Sequence, residues 1–405
     1  MVGTLPGRTQ GLGLITEPLI ADFQLDRVTY ATLNFWATIL GSAGAIGIGQ
    51  LLDRYGSRAV LTAVVCALGA AVCLMSASSS FVLLAIGITL TRAFGQSALS
   101  VVSLAIVGHW FVRRINQAMA IYSVVMSVGF MLAFPLVGTA VQKAGWRAAW
   151  LGVGVTLIVV LAPLGWIVVR RGPETLGLAP DGEGAYDISP RAQTIGGGEA
   201  LEGHDWTDAL RTAAFWVFAF GAALYGLVAS GIGLFNESIL AERGFGPEVY
   251  YQTLVVTALT ALAANFAAGY LSTRVPPSRL LAVSLFILAG GLAALPHLAS
   301  LPQVMMWATA MGIGGGIVTV LFFSVWPLAF GRRHLGRIQG SAQALTVLAS
   351  ALGPLMLAWC VESTGSYAAM FRILSGIIGA LGVGALMVSV PRAGGFASAR
   401  TAQAN

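Results

Sequence analysis

GQLLDRYGSRAVL, Gly49–Leu61, lies between two long apolar runs. A polar stretch this short between apolar segments reads as a tight turn at a membrane surface. Gly49 lets a helix end approach a neighbour closely, and Gly56 supplies a turn residue. Asp53 is the only acid here, beside Arg54 and Arg58. A carboxylate in that place can face a helix N-terminus or pair with an arginine. The stretch returns in degraded form as GYLSTRVPPSRLL, Gly269–Leu281, at an offset of 220 residues. Gly269, Leu271 and Arg274 stand for Gly49, Leu51 and Arg54, and Thr273 replaces Asp53. That one offset divides the chain into two halves.

The bulk numbers demand the same membrane reading. The chain has 405 residues, 57% of them hydrophobic and 9% charged, with a mean hydropathy of +0.82. Soluble globular domains carry about a quarter charged residues. The apolar runs are too many and too long for one soluble core. A spanning helix needs about 20 largely apolar residues, and twelve runs qualify. The first of them is read as a helix, not as a separate signal peptide. The net charge of +6 does not point to nucleic acid, because the arginines sit in short loops without aromatic interleaving. Cys66, Cys73 and Cys360 lie in or at the end of apolar runs and read as packing residues. His109, His204, His297 and His334 lack metal-ligand spacing. Neither a metal nor a cofactor is expected.

The expected helices run from the start to about 23, then 28–52, 59–77, 80–109, 117–141 and 148–170. After a polar segment come 211–235, 250–273, 279–298, 302–330, 337–360 and 367–390. The expected organisation is therefore a six-helix half over 1–170, a linker over 171–210, a second six-helix half over 211–390 and a tail over 391–405. A short surface helix is expected near DWTDALRTAAF. Most arginines fall on the linker side of the membrane. Arg27, Lys143, Arg147 and Arg243 fall on the other, with most of the acids. The positive-inside rule then places the linker and both termini in the cytoplasm. Further matches support the repeat. FVRRINQAMA, Phe111–Ala120, aligns with FGRRHLGRIQG, Phe330–Gly340, and Pro135 aligns with Pro354 one residue off the offset. Two like-oriented six-helix halves can rock about a site at their interface.

GQLLDRYGSR resembles the signature loop between helices 2 and 3 of the major facilitator superfamily. RAFGQSAL, Arg92–Leu99, resembles that superfamily's helix 4 motif. With the twelve helices and the repeat, the resemblance covers nearly the whole chain. It implies an all-α fold of twelve membrane helices in two pseudo-repeats, and transport instead of catalysis. It also implies roles for Gly49, Asp53, Arg54, Gly56 and Arg58 in conformational gating. GLGLITEPLIADFQLDRVTYA, Gly11–Ala31, is similar to the end of helix 1 in the monocarboxylate and oxalate/formate branch. The chain departs from that branch in two places. Glu17 stands where a lysine is common, and helix 8 has no arginine before Arg274. The branch pattern also begins roughly ten residues earlier, which leaves open a start upstream of Met1.

Charges at bilayer depth are costly, about 2.5–3.5 kcal/mol each on insertion scales, and are functional candidates by default. Arg92 falls about twelve residues into helix 4, roughly 18 Å deep at 1.5 Å per residue. It is read as an anion or substrate contact, as a charge coupled to a nearby protonation event, or as a structural arginine bonded to helix 1 carbonyls. Arg8, with Thr9 and Gln10, sits among Pro6, Gly7 and Gly11. The resemblance places these three mid-helix, facing a cavity; the other reading has Arg8 reaching the cytoplasmic surface. Glu17 and then Asp22 are the candidate proton-coupling carboxylates, as no other acid is read at membrane depth. Asn34, Gln96, Tyr122, Tyr225, Asn265, Trp326 and Gln343 lie on helices that line the cavity in the superfamily. They complete the expected substrate site. Each could instead be an interhelical hydrogen bond or an interfacial anchor.

These residues lead to an expected secondary transporter of the cell's inner (cytoplasmic) membrane. It would work as a monomer and move a small organic anion, such as a monocarboxylate, by proton symport. Proton-exchange drug or metabolite efflux is one alternative, and a non-transporting membrane sensor is another. No nucleophile–base set supports an enzyme.

Overall fold

The computed structural model describes residues 2–42, 48–111, 115–170, 205–272, 274–330 and 335–390. Most of the expected linker (171–204), the tail (391–405), the surroundings of Gly49 and the side chain of Asp53 lie outside the described residues. All regular structure among the described residues is helical.

The first expected helix is broken. A 3-10 turn, Val2–Gly7, leads to α1 (Thr9–Gly13) and α2 (Thr16–Phe23). Pro6, Gly7, Gly11 and Gly13 account for the breaks, since each weakens the hydrogen-bond ladder. α3 (Arg27–Ser42) follows, then α4 (Ile48–Ser76). The opening stretch is less of a loop than its sequence suggests. Backbone from Ile48 to Tyr55 is helical, and the turn is confined to Gly56, at φ 79° and ψ 159°. Only glycine adopts that conformation freely. The fourth expected helix comprises α5 (Phe81–Thr91), a π turn (Arg92–Ala98) and α6 (Leu99–Trp110). α7 (Ile115–Ala144) is the fifth. The sixth is α8 (Trp146–Thr156), a second π turn (Leu157–Leu161) and α9 (Ala162–Val168).

The short surface helix appears as α10 (Trp206–Leu210). α11 (Ala213–Ala241), α12 (Pro247–Leu271), α13 (Pro277–Ala294), α14 (Leu301–Phe330), α15 (Leu335–Thr364) and α16 (Ala368–Met387) complete the chain. α11 runs six residues past its expected end at Phe235. The polar run Asn236-Glu237-Ser238 reads as a terminus in sequence. In the fold Asn236 Nδ2 donates to Thr253 Oγ1 (3.2 Å) and Ser238 Oγ accepts from Arg27 (3.2 Å), so these residues stay helical. Ten of the described helical segments are long and apolar enough to cross a membrane. The broken first helix and the pair α3/α4 supply the material for the other two of twelve spans.

The chain packs into two compact units. The first holds the described residues of Met1–Tyr186 with Ser230–Val255 and Ala351–Ser363. The second holds those of Asp187–Ala229, Val256–Ser350 and Thr364–Asn405. Within the first unit small residues set helices close together. A Cβ on Gly7 would collide with the Thr91 carbonyl oxygen and come within 2.8 Å of Gln96 N. Within the second, Trp326 is fully buried among Phe215 (5.4 Å between ring centroids), Phe322 (6.0 Å) and Phe330 (6.3 Å).

Candidate functional site

The polar centre of the first unit is built around Arg92, 2% exposed. Its Nη1 donates to Thr9 Oγ1 (2.8 Å), Gln96 Oε1 (2.7 Å) and Gly7 O (3.4 Å). Its Nη2 donates to Asn34 Oδ1 (3.0 Å). One guanidinium thus ties the broken first helix, α3 and the π turn together. The π turn begins at Arg92 itself, and such turns recur at functional sites. Close contact between Gly7 and Gly95 brings Thr9 and the Gly7 carbonyl within reach. A Cβ on Gly95 would meet Gly7 Cα at 3.0 Å. Asn34 is itself held by donation from its Nδ2 to Tyr30 O (3.0 Å).

Arg8 is held differently. Its Nε donates to Thr4 Oγ1 (2.8 Å), and its guanidinium lies over the Phe130 ring at 5.1 Å. Tyr122 lies within electrostatic range. Among the described residues, Nη1 and Nη2 of Arg8 have no hydrogen-bond partner, and no carboxylate pairs with Arg8 or Arg92. The site therefore carries two guanidinium charges with no internal counter-charge. One has both terminal nitrogens bonded to protein acceptors and only Nε without a partner, and the other has its terminal edge open. An open Nη1/Nη2 edge is a bidentate fit for a carboxylate or similar planar anion.

Of the expected substrate residues, Arg8, Thr9, Asn34, Arg92, Gln96 and Tyr122 come together here. Gln10 turns away and packs within 3.4–3.7 Å of where a Gly233 Cβ would stand. The other four lie in the second unit. Tyr225 packs on Gly315, and the buried Oδ1 of Asn265 lacks a hydrogen bond. Trp326 is the centre of the aromatic cluster, and Gln343 is exposed. Glu17 and Asp22 lie at the arginine-poor end, each in an ion pair. Glu17 takes Arg27 through both oxygens (2.6 and 2.9 Å), and Asp22 takes Arg147 (2.9 Å) and Trp146 Nε1 (3.1 Å). Of the gating residues with described side chains, Arg54 lies over Tyr55 (5.4 Å). Arg58 stacks on Trp166 (4.2 Å) and donates to its carbonyl (2.6 Å). Thr4 and Phe130, which hold Arg8, carry no sequence signal beyond an ordinary apolar-run pattern. Glu237 escaped notice because its helix was expected to stop before it.

A polar, cationic centre buried inside a bundle of apolar spanning helices defines a membrane carrier for a small solute. The chain belongs to the Major Facilitator Superfamily, whose model matches residues 9–250 and 218–404. It is similar to the human protein monocarboxylate transporter 11, with 25% identity over 401 aligned residues, covering 96% of this chain and 80% of the human protein. Solved structures of a bacterial homologue of the human lysosomal transporter Spinster share its fold. The inward-facing, occupied form gives a TM-score of 0.70 at 16% identity, covering 96% of this chain and 95% of that one. The inward-facing, unoccupied form gives 0.68 at 18% identity, covering 95% and 93%. The chain is thus a multi-pass secondary transporter and not an enzyme.

Proposed function

We propose that this transporter moves a small organic anion, such as a monocarboxylate, with a proton, by exposing the site alternately to the two sides of the membrane. The open Nη1/Nη2 edge of Arg8 carries the reading. A guanidinium at bilayer depth without a counter-charge is costly, and a bound carboxylate supplies that charge and both missing acceptors. Arg92 then positions Thr9, Gln96 and Asn34 around the anion and need not touch it. A proton moved together with a monoanion makes the transported unit neutral, which suits passage through a low-dielectric path. The human relative's name, a monocarboxylate transporter, fits this substrate class. We place the protein in the inner membrane, and the arginine asymmetry supports cytoplasmic termini.

The test is thermal unfolding of the purified protein against small carboxylates, sugars, amino acids and lipophilic cations. Uptake into proteoliposomes under an imposed pH gradient then follows for whichever class binds. Carboxylates alone should raise the melting temperature. A rise produced only by cations would overturn the anion reading and favour efflux.

A further inference from the structure

At the arginine-poor end, the last turns of α11 and the first turns of α12 pack on α1, α2 and α3 within the first unit. The packing is close enough for main-chain contact. A Cβ on Gly13 would collide with the Gly233 carbonyl oxygen and stand 2.9 Å from the Tyr250 hydroxyl. That hydroxyl is buried and makes no hydrogen bond. Charges at this seam do not balance. Arg27 of α3 is taken by Glu17 of α2 through both carboxylate oxygens and also donates to Ser238 Oγ of α11. One residue before Ser238 stands Glu237, half-buried. Among the described residues Glu237 has no hydrogen bond and no ion pair. The titratable groups that face it are Glu17 from α2, and Tyr250 and Tyr251 from α12. Glu248 faces Tyr251 in turn. Arg243, further along the chain, is taken by Glu242 (3.4 Å).

We propose that Glu237 is a proton-binding site that governs this seam. With a proton on its carboxyl group, Glu237 is neutral beside the matched Glu17–Arg27 pair, and α11 and α12 rest against α1–α3. When the carboxyl releases that proton to water at the membrane surface, its charge faces Glu17, and no further cation among the described residues matches it. Like-charge repulsion then pushes the seam apart. For its role in transport the proposal rests on the proton-coupled reading above. It assigns the proton to Glu237, because Glu17 and Asp22 are already neutralised by arginines.

The test needs no substrate. Cysteines at Ala21 and Ala241, both exposed, would carry spin labels in a chain with Cys66, Cys73 and Cys360 replaced by alanine. In the otherwise unaltered chain the label distance should lengthen as pH rises. Glu237→Gln should hold the short distance at every pH, and Glu237→Asp should keep the transition at a displaced midpoint. Infrared difference spectra between acid and alkaline pH should show a carboxyl band that Glu237→Gln removes. A distance that ignores pH, or a Glu237→Gln protein with an unaltered pH profile, would overturn the proposal. The infrared band decides the matter from the unsubstituted chain and Glu237→Asp if the amide variant does not fold. Stabilisation by carboxylates without any pH-driven label movement would remove the proton site and leave the anion reading standing. Label movement without carboxylate binding would do the reverse.

Discussion

Arg8→Gln separates the two arginines of the site. The terminal edge of Arg8 is open, so a bound carboxylate gains two charge-assisted hydrogen bonds there. Arg8 is partly exposed, so the low end of the range applies, about 1.5 kcal/mol for each bond to a charged group. Losing both removes about 3 kcal/mol, and at ~1.4 kcal/mol per tenfold the dissociation constant rises about 100-fold. A carboxylate at 100 times its dissociation constant adds about 2.7 kcal/mol to the wild-type fold. At the same concentration it would sit near the dissociation constant of the variant and add about 0.4 kcal/mol. Thermal unfolding with and without the carboxylate measures that difference. The ligand-free protein should melt nearly as before, since Arg8 is held by one hydrogen bond to Thr4 and by the Phe130 ring. Arg8→Lys keeps the charge without the fork and should fall between, about tenfold weaker. Arg92→Gln should act the other way. It breaks a buried network of four hydrogen bonds and should destabilise the ligand-free protein by about 1–3 kcal/mol for each buried acceptor left unpaired. A full carboxylate shift in Arg8→Gln would refute the assignment of the open edge as the anion contact.

Three further outcomes follow from packing and capping. Gly7→Ala drives a methyl into the Thr91 carbonyl and should destabilise the fold by about 1–3 kcal/mol through overpacking, read as a lowered melting temperature. Trp326→Ala empties the aromatic core of the second unit and should cost about 3–5 kcal/mol, read the same way. Asp26 caps α3, accepting from Thr29 N (2.7 Å) and Thr29 Oγ1 (2.6 Å), which hold its carboxyl below the ordinary 3.8. A depressed folded value means the cap stabilises above the unfolded value and loses that contribution as pH falls below it. Asp26→Asn should remove this acid-side slope, and unfolding curves that keep it would count against the cap.

Much of the fold could be read from residue patterns, and the reasons differ from element to element. Long apolar runs and the repeated Gly49 stretch required spanning helices in two halves. Thr9, Asn34 and Gln96 stood out as polar residues within apolar runs and were expected as substrate contacts; that they take Arg92 is visible only in the fold. Three other features were not legible. The end of helix 7 looked finished at Phe235, yet Thr253 and Arg27, which hold the next residues in the helix, lie 17 and 211 positions from their partners. The two arginines looked equivalent, because sequence does not tell which guanidinium is saturated. The turn in the opening motif shrank to Gly56, since residues 48–55 have enough helix propensity to continue α4 until a positive φ intervenes.

The placement of Arg92 also bears on how the chain is made. The span that carries it, Phe81–Val107, has the lowest mean hydropathy of the ten, 1.4. A lone arginine at the centre of a segment leaving the translocon opposes insertion by about 2.5–3.5 kcal/mol. Chains emerge from the ribosome N-terminus first. Three of the four acceptors of Arg92, on Gly7, Thr9 and Asn34, precede it in the chain, and Gln96 follows within a turn. By the time the charge emerges, three of the four groups that receive it have already been synthesised. The polar groups that offset the insertion cost of helix 4 are thus carried mostly by the two helices that precede it.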